Sequence, residues 1–208
     1  MEKERAHKIL ELLSARFPDA GCELRYRTDF ELLVAVILSA QCTDKRVNRV
    51  TADLFKKASA PEDFLAMGRE ELEKLIYSCG FYRQKAKSIL SAAADVKEKH
   101  NGRVPSDFGA LVKMRGVGRK TANVVMSVAF GGDNIAVDTH VFRVSRLLGL
   151  SKGKTPEAVE KDLAALLAHG GYARAHHLLI FHGRYCCKSQ RPLCGECAVR
   201  PYCVYITN

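Results

Sequence analysis

The sequence predicts an all-α protein built from roughly ten short helices. Three observations carry that prediction. Apolar residues recur at helical spacing in one segment after another. Those segments open on Thr, Asp or Pro and close on Gly or Pro, the residues that start and stop helices. No strand-rich region, linker, low-complexity tract or simple tandem repeat interrupts the pattern.

Residues 4–17 carry Ile9, Leu10, Leu12, Leu13 and Phe17 on an amphipathic helix that Pro18 ends. Thr28-Asp29-Phe30-Glu31 has the form of a capping box. It launches an almost wholly apolar helix from Phe30 to Ala40, expected as the buried spine of a helical domain. Gln41-Cys42-Thr43-Asp44 interrupts that helix, and Thr43 or Asp44 can cap the next one, which runs to Lys57. Gln41 reads either as an ordinary loop glutamine or as an exposed polar probe at the mouth of a cleft.

Pro61-Glu62-Asp63 opens a short helix to Met67, and Glu70 to Tyr77 form another that Gly80 terminates. Phe81 and Tyr82 precede a long helix to Lys99, with Ala86, Ile89, Ala93 and Val96 on one face. Asn101-Gly102 is a turn. Residues 107–130 then read as helix, glycine hairpin, helix: Pro105-Ser106-Asp107 starts an apolar segment, Phe108 to Met114, and a second apolar helix follows Gly116-Val117-Gly118. Gly131-Gly132 ends it, and Ile135-Ala136-Val137 makes an extended connection. Asp138 can cap a helix bearing Val141, Val144, Leu147 and Leu148. Thr155-Pro156-Glu157 supplies a cap, a first-turn proline and a first-turn acid for a helix to Leu167. After Gly170-Gly171 comes a last helix, Ala173 to Tyr185, and a cysteine cluster closes the chain.

With 208 residues, 47% of them hydrophobic, the chain can bury a sizeable core as one large domain or two small ones. A net charge of +10 favours a polyanionic partner. The charged N-terminus does not resemble a signal peptide, and the longest apolar run, Leu32 to Leu38, is too short to span a bilayer. A cytoplasmic protein with no membrane partner is expected, and nothing suggests a dimer interface, so a monomer is expected.

The hairpin suits a nucleic-acid phosphate. Its glycines permit positive φ and close backbone approach, and the first amides of the second helix suit an anion. Lys113, Arg115, Arg119 and Lys120 crowd the same spot, with no acid among residues 111–130. Lys120 reads in two ways. It is a phosphate-binding lysine, or it is an amine nucleophile whose ammonium form is disfavoured by the helix start and the nearby cations. Asp138 is likewise an N-cap, a carboxylate that assists Lys120, or both. His140 competes for the role of base.

Eight cysteines are many for such a chain, and five cluster near its end. Cys187, Cys194, Cys197 and Cys203 follow a C-x6-C-x2-C-x5-C spacing, leaving Cys186 as the spare. Four thiolates hold either zinc or a [4Fe–4S] cluster, and one close pair in a compact loop suits the cubane better than a zinc ribbon. Lys188 and Arg191, between the first two ligands, either touch phosphate or stay solvated.

Gly116-Val117-Gly118-Arg119-Lys120-Thr121-Ala122-Asn123, Ala136-Val137-Asp138-Thr139-His140, His182-Gly183-Arg184 and the four-cysteine spacing together resemble endonuclease III. That family comprises helix-hairpin-helix DNA glycosylase/AP lyases with an iron–sulfur cluster. The resemblance runs from the N-terminal helix to the last cysteine. It implies a bilobal helix-hairpin-helix DNA glycosylase fold: a six-helix barrel lobe over 23–131, and an iron–sulfur cluster lobe from 1–22 plus 132–208 with its cluster loop at 187–203. It implies double-stranded DNA with damaged bases or abasic sites as partner, and extrusion of an oxidised pyrimidine into a cleft. Lys120 then attacks C1′ to form an imine, Asp138 is the essential carboxylate, Gln41 fills the vacated space, and Phe81 is the apolar wedge. The phosphate seat read from the hairpin residues themselves comprises Arg115, Gly116, Val117, Gly118 and Arg119.

Two departures stand out. Arg115 replaces a proline usual in the family's hairpin, which loosens the turn and adds a possible phosphate contact. Phe81 is bulkier than the common aliphatic wedge. Two other functions are alternatives: a thymine-mismatch glycosylase of the same superfamily, which differs in pocket shape that no motif records, and a non-catalytic DNA-binding iron–sulfur protein, which has no use for Lys120 and Asp138.

Overall fold

In the computed structural model of the chain, residues 2–167 and 170–207 are described. Among them all regular structure is helical. They divide into two units: Glu23–Gly132 forms one, and the residues up to Cys22 with those from Asp133 onward form the other.

The axis of the Glu23–Gly132 unit is α2 (Asp29–Ser39), whose residues from Phe30 to Leu38 are all buried. Burying each large apolar side chain there contributes about 1.5–3 kcal/mol. Around α2 pack α3 (Asp44–Lys57), α5 (Tyr82–Lys99) and α7 (Arg119–Phe130), while α4 (Pro61–Ile76) runs along α5 and meets α2 through the Phe30 and Phe64 rings. The two helices expected over 61–77 form the two halves of α4, broken at Gly68, where φ is +73° and ψ 177°.

Only half of the expected capping box forms at Thr28. Its hydroxyl accepts from the Glu31 N–H, but Glu31 does not return to Thr28. Its carboxylate accepts from the Arg27 N–H at 2.6 Å, the Arg27 guanidinium at 2.7 Å and the Ser59 hydroxyl at 2.7 Å. Burial pushes this fully buried carboxyl up, but those hydrogen bonds outweigh it and hold Glu31 below the ordinary glutamate value.

In the other unit, α1 (Glu2–Arg16), α8 (Thr139–Leu147), α9 (Pro156–Leu166) and α10 (Tyr172–Tyr185) share a core that includes Ile9, Leu13, Val144, Leu163 and Leu179. Asp133 caps α10 from 38 positions away in sequence, accepting from the Gly171 and Ala173 N–H groups at 2.7 and 2.8 Å. Arg5 donates to the carbonyls of Leu148, at 2.6 Å, and Tyr202, tying α1 to the end of α8 and to the C-terminal loop. The loop closes through two 3-10 turns and α11 (Val204–Thr207). No helix among the described residues is long and apolar enough to cross a membrane.

Candidate active site and metal centre

The hairpin is built by a cap, a glycine and an uncapped helix start. Asp107 caps α6 (Phe108–Lys113), accepting from the Ala110 N–H at 2.7 Å. The chain then turns through Met114, whose carbonyl accepts from the Val117 N–H at 3.1 Å. Gly116 takes φ +81°, and a Cβ there would lie 2.3 Å from both Cβ and Oγ of Ser88 on α5. Gly118 differs from the expectation of positive φ: it is extended, with φ −81°, and a Cβ on it would meet nothing within 4 Å. One glycine is demanded by backbone and packing. The other leaves open space before α7.

No side chain caps the first turn of α7. Helix-start amides without a side-chain cap, with the positive end of the helix dipole behind them, attract an anion. Lys113, Arg115, Arg119 and Lys120 are all exposed around this point. The Arg119 guanidinium lies over the Phe108 ring, 5.5 Å from its centroid. Val117 is buried at 3% exposure and its N–H is engaged in the turn, so it shapes the hairpin rather than offering a surface to a ligand. Among the described residues nothing pairs with or hydrogen-bonds the Lys120 side chain, which leaves its amine open to solvent.

Gln41 and Phe81 share a backbone peculiarity. Both are exposed non-glycine residues with positive φ, +52° and +47°. An L-residue pays about 1–2 kcal/mol for that conformation, so the surrounding structure must hold it. Phe81 is 70% exposed at the start of α5, next in sequence to Tyr82, whose ring meets that of Tyr77 at a centroid distance of 4.9 Å and a tilt of 55°. A large apolar side chain held out on a strained backbone suits insertion into a partner.

Asp138 caps α8, its Oδ1 accepting from the Val141 N–H at 2.7 Å. Next to it, His140 packs so closely on Gly183 that a Cβ there would lie 2.9 Å from His140 Cβ. Burial lowers the His140 pKa, Asp138 opposes, and Arg143 and Arg184 reinforce, which favours the neutral imidazole. Lys120 belongs to the Glu23–Gly132 unit and Asp138 to the other.

The cysteine loop hangs from the end of α10. The His182 carbonyl accepts from the N–H groups of both Cys186 and Cys187. Arg143 of α8 donates to the carbonyls of Gly183 and Cys187 at 3.0 and 2.7 Å. Cys186 clasps the loop neck: its carbonyl accepts from the Leu193 N–H at 3.0 Å, and its thiol donates to the Leu193 carbonyl at 3.7 Å. His182, Cys186 and Cys197 place their ligand atoms within 4.8 Å of one another, so the loop holds a Cys/His group able to bind metal. This trio includes the cysteine that spacing sets aside and a histidine that spacing cannot nominate. Burial, then Cys197 and the other loop cysteines, pushes the Cys186 thiol up to about 12. Burial raises Cys187 as well. Crowded thiols that resist ionising together are what a bound cation relieves. Lys188 and Arg191 are exposed on the same loop, Arg191 with φ +52°.

Arg143, Ser88 and Lys85 matter to this arrangement and carry no signal in the sequence. Each lies within a helix with ordinary spacing, and each acts on a partner far away in the chain or outside its own helix.

Residues 34–169 match the family model described as HhH-GPD superfamily base excision DNA repair protein. The chain is 52% identical to endonuclease III of Bacillus subtilis over 195 residues, 93% of this chain and 89% of the relative. It is 47% identical to that of Rickettsia conorii over 208 residues, 100% of this chain and 99% of the relative. Among solved structures, a trapped endonuclease III–DNA covalent intermediate superposes with a TM-score of 0.93 at 48% identity, covering 98% of this chain and 96% of the other.

Proposed function

The chain belongs to the endonuclease III family, within the HhH-GPD superfamily of base excision DNA repair proteins, and we propose that it is a bifunctional DNA glycosylase/AP lyase for oxidised pyrimidines in duplex DNA. The observation that carries this reading is Lys120: an exposed amine with no partner among the described residues, at the start of a helix that no side chain caps, two positions after a glycine that leaves room for a backbone phosphate. A covalent protein–DNA intermediate, as described for the solved relative, requires a nucleophile, and the hairpin exposes one.

In the proposed reaction the Lys120 amine attacks C1′ of the extruded nucleotide. The C1′–N bond breaks, the base leaves with its electron pair, and loss of a proton from nitrogen with ring opening yields an imine. Removal of a C2′ proton then expels the 3′ phosphate by β-elimination. Asp138 accepts the proton that the attacking amine loses or stabilises positive charge at C1′, using the carboxylate that also caps α8. Gln41 fills the space the base leaves, and Phe81 wedges the duplex open. The hairpin amides, Arg115 and Arg119 hold the phosphate. We further infer that Cys187, Cys194, Cys197 and Cys203 hold a [4Fe–4S] cluster, because Cys186 is already committed to the loop neck. The cluster supplies a structural staple for a loop with little core of its own.

Borohydride trapping on an abasic duplex tests the nucleophile. Wild type should form a covalent adduct and Lys120→Ala none, while both still bind the duplex. Asn also caps helices, so Asp138→Asn should keep the fold and DNA binding and lose at least about 100-fold in turnover. If Lys120→Ala traps as well as wild type, the assignment fails.

A further inference from the structure

Lys85 is the one lysine or arginine buried among the described residues, at 5% exposure. It lies in the second turn of α5. Its ammonium meets no carboxylate. It donates to two main-chain carbonyls, Leu38 at 2.8 Å and Cys79 at 2.6 Å. Leu38 lies in the last turn of α2, where carbonyls lack helical partners. Cys79 ends the 3-10 turn Tyr77–Cys79 before α5. Gln41 and Phe81, two of the four exposed non-glycine residues with positive φ among the described residues, come three and two positions after those carbonyls.

We propose that Lys85 is a positioning residue, its ammonium clamping the Leu38 and Cys79 carbonyls together so that Gln41 and Phe81 are presented to duplex DNA as one fixed pair. This rests on the reading of Gln41 and Phe81 given above.

A buried ammonium is an expensive way to fill a core, and an apolar side chain of similar length would fill it without the desolvation cost. The Cys79 thiol beside it supplies no anion: burial, then Cys42, pushes Cys79 up to about 11. Burial lowers the Lys85 pKa while these two sulfurs oppose it. What the charge gains is the pair of carbonyl dipoles, one at the negative end of α2. Both carbonyls bind a single nitrogen, so neither loop can shift without stretching a bond to the other. Two side chains entering a duplex from independent loops would each lose freedom on binding, whereas a clamped pair has already lost it.

The test compares β-elimination on an abasic duplex with that on the same abasic strand alone, since both need the nucleophile but only the duplex engages the probe pair. Wild type should favour the duplex. Gln41→Ala and Phe81→Ala should each lower the duplex-to-single-strand ratio. Lys85→Met should lower it by about 10- to 100-fold, with neither probe altered, through misplacement alone. Its single-strand rate should stay near wild type. Adding Phe81→Ala to Lys85→Met should cost little more, because the two act as one unit. Should Lys85→Met not fold, Lys85→Gln, which keeps an amide donor for one carbonyl, is read the same way with a smaller loss expected. A wild-type ratio in the Lys85 variants, or an equal fall on both substrates, overturns the clamp. Wild-type ratios in Gln41→Ala and Phe81→Ala overturn the probe reading instead.

Discussion

Gly116 and Gly118 are two positions apart and do different work. At Gly116 a methyl group meets Ser88 at 2.3 Å and the backbone is left-handed, so both sterics and φ oppose substitution. Gly116→Ala should destabilise by about 1–3 kcal/mol from overpacking alone, read as a lower denaturant midpoint. At Gly118 the backbone is extended and the space is open. Gly118→Ala should therefore leave the denaturant midpoint near wild type while weakening duplex binding, because its methyl points where a phosphate would approach. Equal loss of stability in the two variants would show that Gly118, too, is a packing glycine. Lys120 and Asp138 differ in the same sense: one has no partner among the described residues, and the other already serves α8.

Among the elements, α2 depends on a single buried acid. Glu31 ties the segment before α2 to Ser59, ahead of α4, through Arg27 and the Ser59 hydroxyl. Its carboxyl is held below the ordinary glutamate value, so the charged form is bound more tightly in the folded protein than in the unfolded chain. That stabilisation is present above the unfolded pKa and is lost as pH falls through it towards the folded one. Glu31→Gln should cost about 1.5–3 kcal/mol near neutral pH. The gap to wild type should narrow as the solution is acidified below the ordinary glutamate range, measured by urea unfolding across pH. A gap that is constant with pH would mean that the Glu31 charge contributes nothing.

For the whole molecule, the charge of +10 and the exposed cations of the hairpin make duplex binding electrostatic. With ~4–6 phosphates neutralised, log affinity should fall with log salt at a slope of roughly −4 to −5. A flat response would count against the phosphate seat. The cysteine loop makes a separate prediction. Purified protein should carry about four iron and four sulfide per chain and absorb near ~400 nm. One zinc and no iron would leave the His182–Cys186–Cys197 trio as the better ligand set.

Much of this architecture was legible because its signals are local. The caps at Thr28, Thr43, Asp107, Asp138 and Thr155 each bind an N–H within three positions, so residue type and spacing are enough to find them. Helical periodicity is equally local, and it determined the all-helical class. The hairpin glycines, Lys120 and the cysteine spacing named the family. What the sequence did not determine is every bond that closes over distance: Lys85 to Leu38, Arg143 to Cys187, Asp133 to α10, Glu31 to Ser59. A lysine within a helix looks solvated until the fold buries it, and a capping-box glutamate looks local until Arg27 and Ser59 are brought to it. The two glycines of the hairpin look alike in the sequence. Only packing against Ser88 decides which one the fold needs and which one is left for the ligand.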